Sequence, residues 1–126
     1  MTGKGVAIVT GGSRGIGRAT ALKLGRAGYT VVVNYVSKPA AADAVVDEIR
    51  KAGGMAAAVA GDVAREADVL ALFAAADRLG PVTVLINNAG VMDAQARLDE
   101  MSLERLTRLF NINILGSFLC AREAVK

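Results

Sequence analysis

Residues 10–18 read Thr-Gly-Gly-Ser-Arg-Gly-Ile-Gly-Arg, four glycines and two arginines within nine positions. Glycine permits sharp backbone turns and lets N–H groups come close to a ligand. A helix beginning just after such a turn offers unpaired N–H donors and the positive end of its dipole. The chemistry this combination suits is the binding of a phosphate or pyrophosphate. Spacing narrows the kind of site. The pattern G-x-G-x-x-G is absent. The pattern G-x-x-x-x-G-K-[ST] is approached by Gly12 and Gly17, but Arg18 stands at the lysine position and Ala19 at the magnesium-binding hydroxyl. Both chemically active residues of a triphosphatase loop are therefore missing, which counts against that reading. What remains is T-G-x-x-x-G-x-G, carried by Thr10, Gly11, Gly15 and Gly17.

Other chemistries are limited by residue types. The chain has no histidine and one cysteine, Cys120. No internal disulfide is possible, and neither a His/Cys zinc site nor a Ser-His-Asp or Cys-His catalyst can be built from these 126 residues. Charge is unevenly spread. Residues 1–42 hold six basic residues (Lys4, Arg14, Arg18, Lys23, Arg26, Lys38) and no acid, whereas residues 43–126 hold nine basic and twelve acidic ones. A basic first third around a glycine loop suggests an anionic ligand, although solvated helix faces are the plainer account of such charges. Nucleic acid is disfavoured: only Tyr29 and Tyr35 offer stacking in that segment, and no nucleic-acid motif is present.

The elements that must position these residues follow from hydrophobic periodicity. Short β-branched runs predict strands at 6–10 (VAIVT), 30–35 (TVVVNY) and 82–88 (VTVLINN), with an alanine-rich one and its exit at 55–63. Helices are expected from the glycine loop to Gly28, from Pro39 to about Ala52, over 65–79, and from Ser102 to the end, after a loop at 91–101. Ser102 suits an N-cap, with Glu104 in the first turn. Alternating strands and helices with apolar strands imply a parallel sheet covered on both faces. With hydrophobic residues at 53% and charged ones at 21%, a packed core is expected over residues 1–126 as a single domain. No apolar run reaches a membrane span, and the start does not read as a signal peptide, so a cytoplasmic protein without membrane partners is expected. The final helix reads as unfinished at Lys126, so the domain is expected to be truncated at its C-terminus.

Three further motifs follow the glycine loop in order: Gly61-Asp62-Val63, Asn87-Asn88-Ala89-Gly90, and NINILGSF at 111–118. Together with TGGSRGIG they resemble the short-chain dehydrogenase/reductase family, in its N-terminal cofactor-binding half. The resemblance extends over essentially the whole chain and is closest to members of the sugar-dehydrogenase and ketoacyl-reductase type. It implies a Rossmann-type doubly wound parallel α/β sheet, here its first four strands in the order 3-2-1-4. It also implies a nicotinamide dinucleotide along Gly11, Gly12, Ser13, Arg14, Gly15, Ile16 and Gly17, with Asp62 and Val63 at the adenine and Asn88, Ala89 and Gly90 beside the cofactor. The end of the second strand selects the cofactor: an acid there would bind a ribose 2′-OH and repel a 2′-phosphate. The stretch Asn34, Tyr35, Val36, Ser37, Lys38 contains no acid. With Arg14 nearby in the family's arrangement, NADP is favoured and NAD remains possible. Asn113 is the match to the family's active-site asparagine, with Asn111 competing. Helical spacing groups Asn113 with Leu106, Leu109, Phe110, Cys120 and Ala124, and a structural asparagine is the plainer reading.

The family also uses a serine and a Tyr-x-x-x-Lys pair for acid/base chemistry. Here the residue four after Tyr29 is Val33, and four after Tyr35 is Pro39. The leading reading is therefore an NADP-preferring oxidoreductase acting on a small carbonyl or secondary alcohol, with this chain supplying the cofactor half and having no turnover alone. A stand-alone dinucleotide-binding module or inactive fragment is the alternative. No metal is expected. A homo-oligomer, dimer or tetramer, is implied for the parent, with Leu109, Ile112 and Phe118 serving an interface or the core.

Overall fold

Val6–Val9 form β1, and every one of the four residues is buried. They can be buried because the strand lies inside a four-stranded parallel sheet, in the order β3-β2-β1-β4. The other strands are β2 (Thr30–Tyr35), β3 (Met55–Ala60) and β4 (Val82–Ile86). Register pairs Val6 with Thr30 and Val82, and Thr30 with Met55. This is the 3-2-1-4 Rossmann-type order expected from the sequence. The computed structural model describes residues 3–90 and 97–126.

Side chains alternate across the sheet and divide the core in two. Val6, Ile8 and Val32 face one layer with Val69, Leu72, Phe73 and Cys120. Val9, Val31 and Val33 face the other with Ala21, Val45, Val46 and Ile49. The second layer is built by α1 (Gly15–Arg26) and α2 (Pro39–Lys51), the first by α3 (Glu66–Asp77) and α5 (Gly116–Ala124). Pro39 opens α2 at a position where its missing N–H has no intrahelical partner to lose. Arg18 on α1 pairs with Glu48 on α2 at 2.6 Å, which assigns one of the basic residues of the first third to a helix face.

Two expectations change. The strand predicted to reach Asn88 ends at Ile86, because the N–H groups of Asn88 and Ala89 turn to the Thr10 hydroxyl instead of continuing the ladder. The single long helix predicted from Ser102 is α4 (Leu103–Phe110), a π-helical turn (Asn111–Leu115) and then α5, preceded by a 3-10 turn at Leu98–Glu100. Ser102 caps α4 as expected, accepting from the Arg105 N–H at 3.1 Å. The Ser117 hydroxyl donates to the Asn113 carbonyl at 3.4 Å, and the Asn87 side-chain amide donates to the Ser117 carbonyl at 3.1 Å. Such side-chain competition for helix carbonyls loosens the regular ladder. The wider turn changes the helical phase. Cys120 is buried, but Phe110, expected on the same stripe, is exposed. No described helix is long and apolar enough to cross a membrane.

Candidate functional site

The parallel strands all end at one edge of the sheet, and the turns that follow them enclose a cleft of about 850 Å³. That volume is in the range of cofactor and ligand pockets. Clefts at the carboxyl ends of open α/β sheets are the usual ligand sites of such folds.

The glycine loop forms one wall. Gly11, with φ +61°, turns the chain out of β1. A Cβ on Gly17 would collide with the Gly11 carbonyl and come within 2.5 Å of the Asn88 side-chain amide. This position therefore holds the start of α1 hard against the loop after β4. Gly11, Ser13, Arg14, Gly15 and Ile16 line the cleft. Gly12 and Gly17 do not: Gly12 is packed on β1 and β2, and Gly17 acts as a spacer. Arg14 stands at the N-cap of α1 in extended conformation, without a side-chain cap, and the first turn carries no acid. The first-turn donors and the helix dipole thus remain available to an anion in the cleft.

The adjoining wall comes from the turn after β4. Thr10 is buried, and its Oγ1 accepts from the N–H groups of Asn88 and Ala89, both at 3.0 Å, and donates to the Ile86 carbonyl at 3.3 Å. Asn88 Nδ2 donates to the Gly11 carbonyl at 3.0 Å. Asn88, Ala89 and Gly90 line the cleft as expected. Asn113 is not among the lining residues, but it is adjacent: a Cβ on Gly90 would lie 3.2 Å from Asn113 Oδ1. Its side chain is exposed, and it lies within the π-helical turn.

The third side is the segment after β2 and β3. Tyr35, Ser37, Lys38, Asp62 and Val63 line it, together with Asn34. Asn34 was expected at the cofactor, but it is 1% exposed and its side-chain amide is bonded to backbone groups of Gly11, Val59 and Gly61. Asp62 Oδ1 accepts from the Ala64 N–H at 2.9 Å, which fixes the carboxylate at the cleft wall. Val36, Ala41 and Arg108 also line the cleft and were not singled out from the sequence, and Ile112, expected at an interface or in the core, lines it too. Arg108 and Ile112 are four residues apart on α4 and its continuation, so they share a helix face; that spacing was the available signal.

The charged lining residues are three cations, Arg14, Lys38 and Arg108, and one carboxylate, Asp62. The cleft favours an anion. A dinucleotide fits the residues present: the glycine turn leaves room for a pyrophosphate, and a Cβ on Gly15 would meet nothing within 4 Å. Among the described residues, no group of three or more His, Cys, Asp or Glu side chains is arranged to hold a metal ion.

A Rossmann-type parallel sheet with a glycine loop at its strand ends defines the class. The family profile of the short chain dehydrogenases matches residues 5–126, and the chain belongs to that family. It is 48% identical over 122 residues to the uncharacterized oxidoreductase YgfF of Escherichia coli K12, covering 96% of this chain and 49% of that one. It is 42% identical over 126 residues to glucose 1-dehydrogenase 2 of Bacillus subtilis 168, covering 99% of this chain and 48% of the relative. The crystal structure of a dehydrogenase/reductase from Sinorhizobium meliloti 1021 superposes with a TM-score of 0.93 at 34% identity, over 98% of this chain and 49% of that one. The chain thus spans about half the length of the curated relatives it matches.

Proposed function

We propose that this chain is the cofactor-binding half of an NADP-preferring oxidoreductase, which moves a hydride between the nicotinamide ring and a small carbonyl or secondary alcohol. The observation that carries the preference is the wall after β2. Ser37 and Lys38 line the cleft there beside Arg14, and Asp62 is the one acid among the lining residues. A ribose 2′-phosphate at that wall gains two cations and a hydroxyl and meets no carboxylate at the end of β2. A 2′-OH gains none of the charge pairing. The glycine turn and the N-terminus of α1 hold the pyrophosphate. Asp62 and Val63 face the adenine, and Ala89 and Gly90 leave space beside the nicotinamide half. NADPH supplies the hydride. Asn113, next to Gly90, is the residue of this chain closest to the chemistry in the family's pattern, where it holds a water for proton relay.

These residues include no Tyr-x-x-x-Lys pair, so the 126-residue polypeptide binds cofactor without turning over a carbonyl. The exposed side chains of Leu103, Phe110 and Phe118 support a homo-oligomer that would cover them, with Phe118 at an interface, and the half-buried Ile112 packs against the core layer. Calorimetric titration with NADPH and NADH tests the cofactor assignment. NADPH is expected to bind more tightly; equal or reversed affinities contradict it. A cofactor-dependent reductase rate from the purified 126-residue chain contradicts the division of labour.

A further inference from the structure

Two polar side chains, Thr10 and Asn34, are fully buried among the described residues. Thr10 closes the turn after β4, as described above. Asn34 lies at the penultimate position of β2, and its amide works in three directions. Oδ1 accepts from the Gly11 N–H at 3.2 Å, and Nδ2 donates to the carbonyls of Gly61 at 3.0 Å and Val59 at 3.3 Å. Its backbone carbonyl also accepts from the Gly12 N–H at 3.0 Å. One residue of β2 thus grips the glycine turn after β1 and the turn after β3. From Gly61 the chain passes directly to Asp62, whose N–H donates to Asp68 Oδ2 at 2.9 Å on α3. A continuous hydrogen-bonded path therefore joins the loop that faces a pyrophosphate to the loop that faces an adenine.

An asparagine is suited to this position because its amide offers a donor and an acceptor at once. Leucine would supply neither, and an ionised aspartate would turn a second acceptor toward two carbonyls. In a buried site, unmatched groups of this kind are expensive, so the bridged arrangement is strongly preferred.

We propose that Asn34 is a positioning residue that couples the two ends of the cleft, so that a ligand ordering the Asp62–Val63 turn also orders the glycine loop. The inference rests on the dinucleotide reading of the cleft. It differs from direct cofactor contact: Asn34 acts through Gly11 and Gly61.

Hydrogen exchange read amide by amide tests it. In the wild type, saturating adenosine, which has no phosphate, is expected to slow exchange at Asp62 and Ala64 and also at Gly11 and Gly12. NADP+ is expected to slow all four. The Asn34→Asp variant retains the acceptor for Gly11 and loses the donors. In it, adenosine is expected to protect Asp62 and Ala64 alone, and NADP+ affinity is expected to fall about tenfold, within the usual range of coupling between sites. Thermal unfolding should stay cooperative. Adenosine that leaves Gly11 and Gly12 unchanged in the wild type overturns the coupling, as does adenosine that protects neither turn. A folded Asn34→Asp protein that binds NADP+ within twofold of the wild type also overturns it. If that variant does not fold, the wild-type adenosine experiment decides. A wild type that binds neither NADP+ nor NAD+ overturns the dinucleotide reading itself, a different result from binding without coupling.

Discussion

Lys38 and Arg14 make the most specific demand of any residues in the cleft. Lys38 lines the wall after β2 together with Ser37, and Arg14 lines the glycine-loop wall of the same cleft. Hydrogen bonds to charged groups contribute about 1.5–3 kcal/mol, and exposure at a cleft rim reduces this to roughly 1.4 kcal/mol, or about tenfold in affinity. Lys38→Ala and Arg14→Ala should each weaken NADPH binding about tenfold and leave NADH binding within about twofold, as read by calorimetry. Loss of both cofactors in parallel would assign these cations to the pyrophosphate instead. The residue types at this wall were legible because charge and hydroxyl side chains after a strand read directly as ligand chemistry. Asn34 was read from the sequence as a cofactor residue at the end of the second strand, and its role as a bridge between turns was not legible. Its partners, Gly11 and Gly61, lie 23 and 27 positions away, and their convergence exists only in the folded sheet. Arg108 was missed because its four-residue spacing from Ile112 is shared by any pair on one helix face and does not by itself mark a ligand residue.

Cys120 carries a further prediction at the same scale. Burial in the core layer raises its thiol from the ordinary 9.0 to about 11. The thiol form belongs to the folded state, and the thiolate is favoured by unfolding. Cys120 therefore stabilises fully below about pH 9, and that contribution is lost as the pH rises through about 11. Urea unfolding of the wild type should show this alkaline decline, and Cys120→Ala should show less of it. The folded protein should resist thiol reagents near pH 8, because the reactive thiolate is scarce and the sulfur is buried.

At the scale of elements, the cleft depends on close contacts between turns and helices. Thr10→Val keeps the shape of the side chain but takes away the acceptor of the Ala89 N–H and leaves the Asn88 N–H with the Ile86 carbonyl alone. A loss of about 1–3 kcal/mol in unfolding free energy is expected from denaturant titration. No measurable loss would mean that water replaces the hydroxyl. Gly116 lets α5 lie against the wall of the cleft. A Cβ there would come within 2.6 Å of Val63 Cγ2 and 3.1 Å of the Val63 carbonyl. Gly116→Ala should cost roughly 1–3 kcal/mol in stability by overpacking, and it should weaken adenosine binding because Val63 lines the cleft. Unchanged adenosine affinity in a destabilised variant would separate α5 from the site. The strands were legible as short continuous apolar runs, as suits strands buried on both faces, and the first three helices by their 3.6-residue period. The π-helical turn was not, since helical spacing continues through it and only the Ser117 and Asn87 contacts reveal the shift. The end of β4 was likewise set by a distant group, Thr10, and not by the asparagines themselves.

Across the whole molecule, the uneven charge resolves into two uses. Of the six basic residues in the first third, Arg14 and Lys38 face the cleft, Arg18 is paired with Glu48, and Lys4 lies over the Tyr29 ring at 5.6 Å. The sequence showed a basic segment, but a sum of charges carries no direction, and the fold decides which of them meet a ligand. Because the dinucleotide is anionic and the cleft is open, NADPH affinity should fall as salt rises. Binding to the native state should also raise the thermal midpoint with ligand concentration. The central claim is that the loop at 10–18 and the wall after β2 together hold a phosphorylated nicotinamide dinucleotide. Calorimetric titration of the purified chain with NADPH and then NADH tests this most directly. The account predicts one site that binds NADPH about tenfold or more tightly than NADH, as expected from one or two charge-assisted contacts to the 2′-phosphate. A chain that is folded and binds neither, or that prefers NADH, would contradict it.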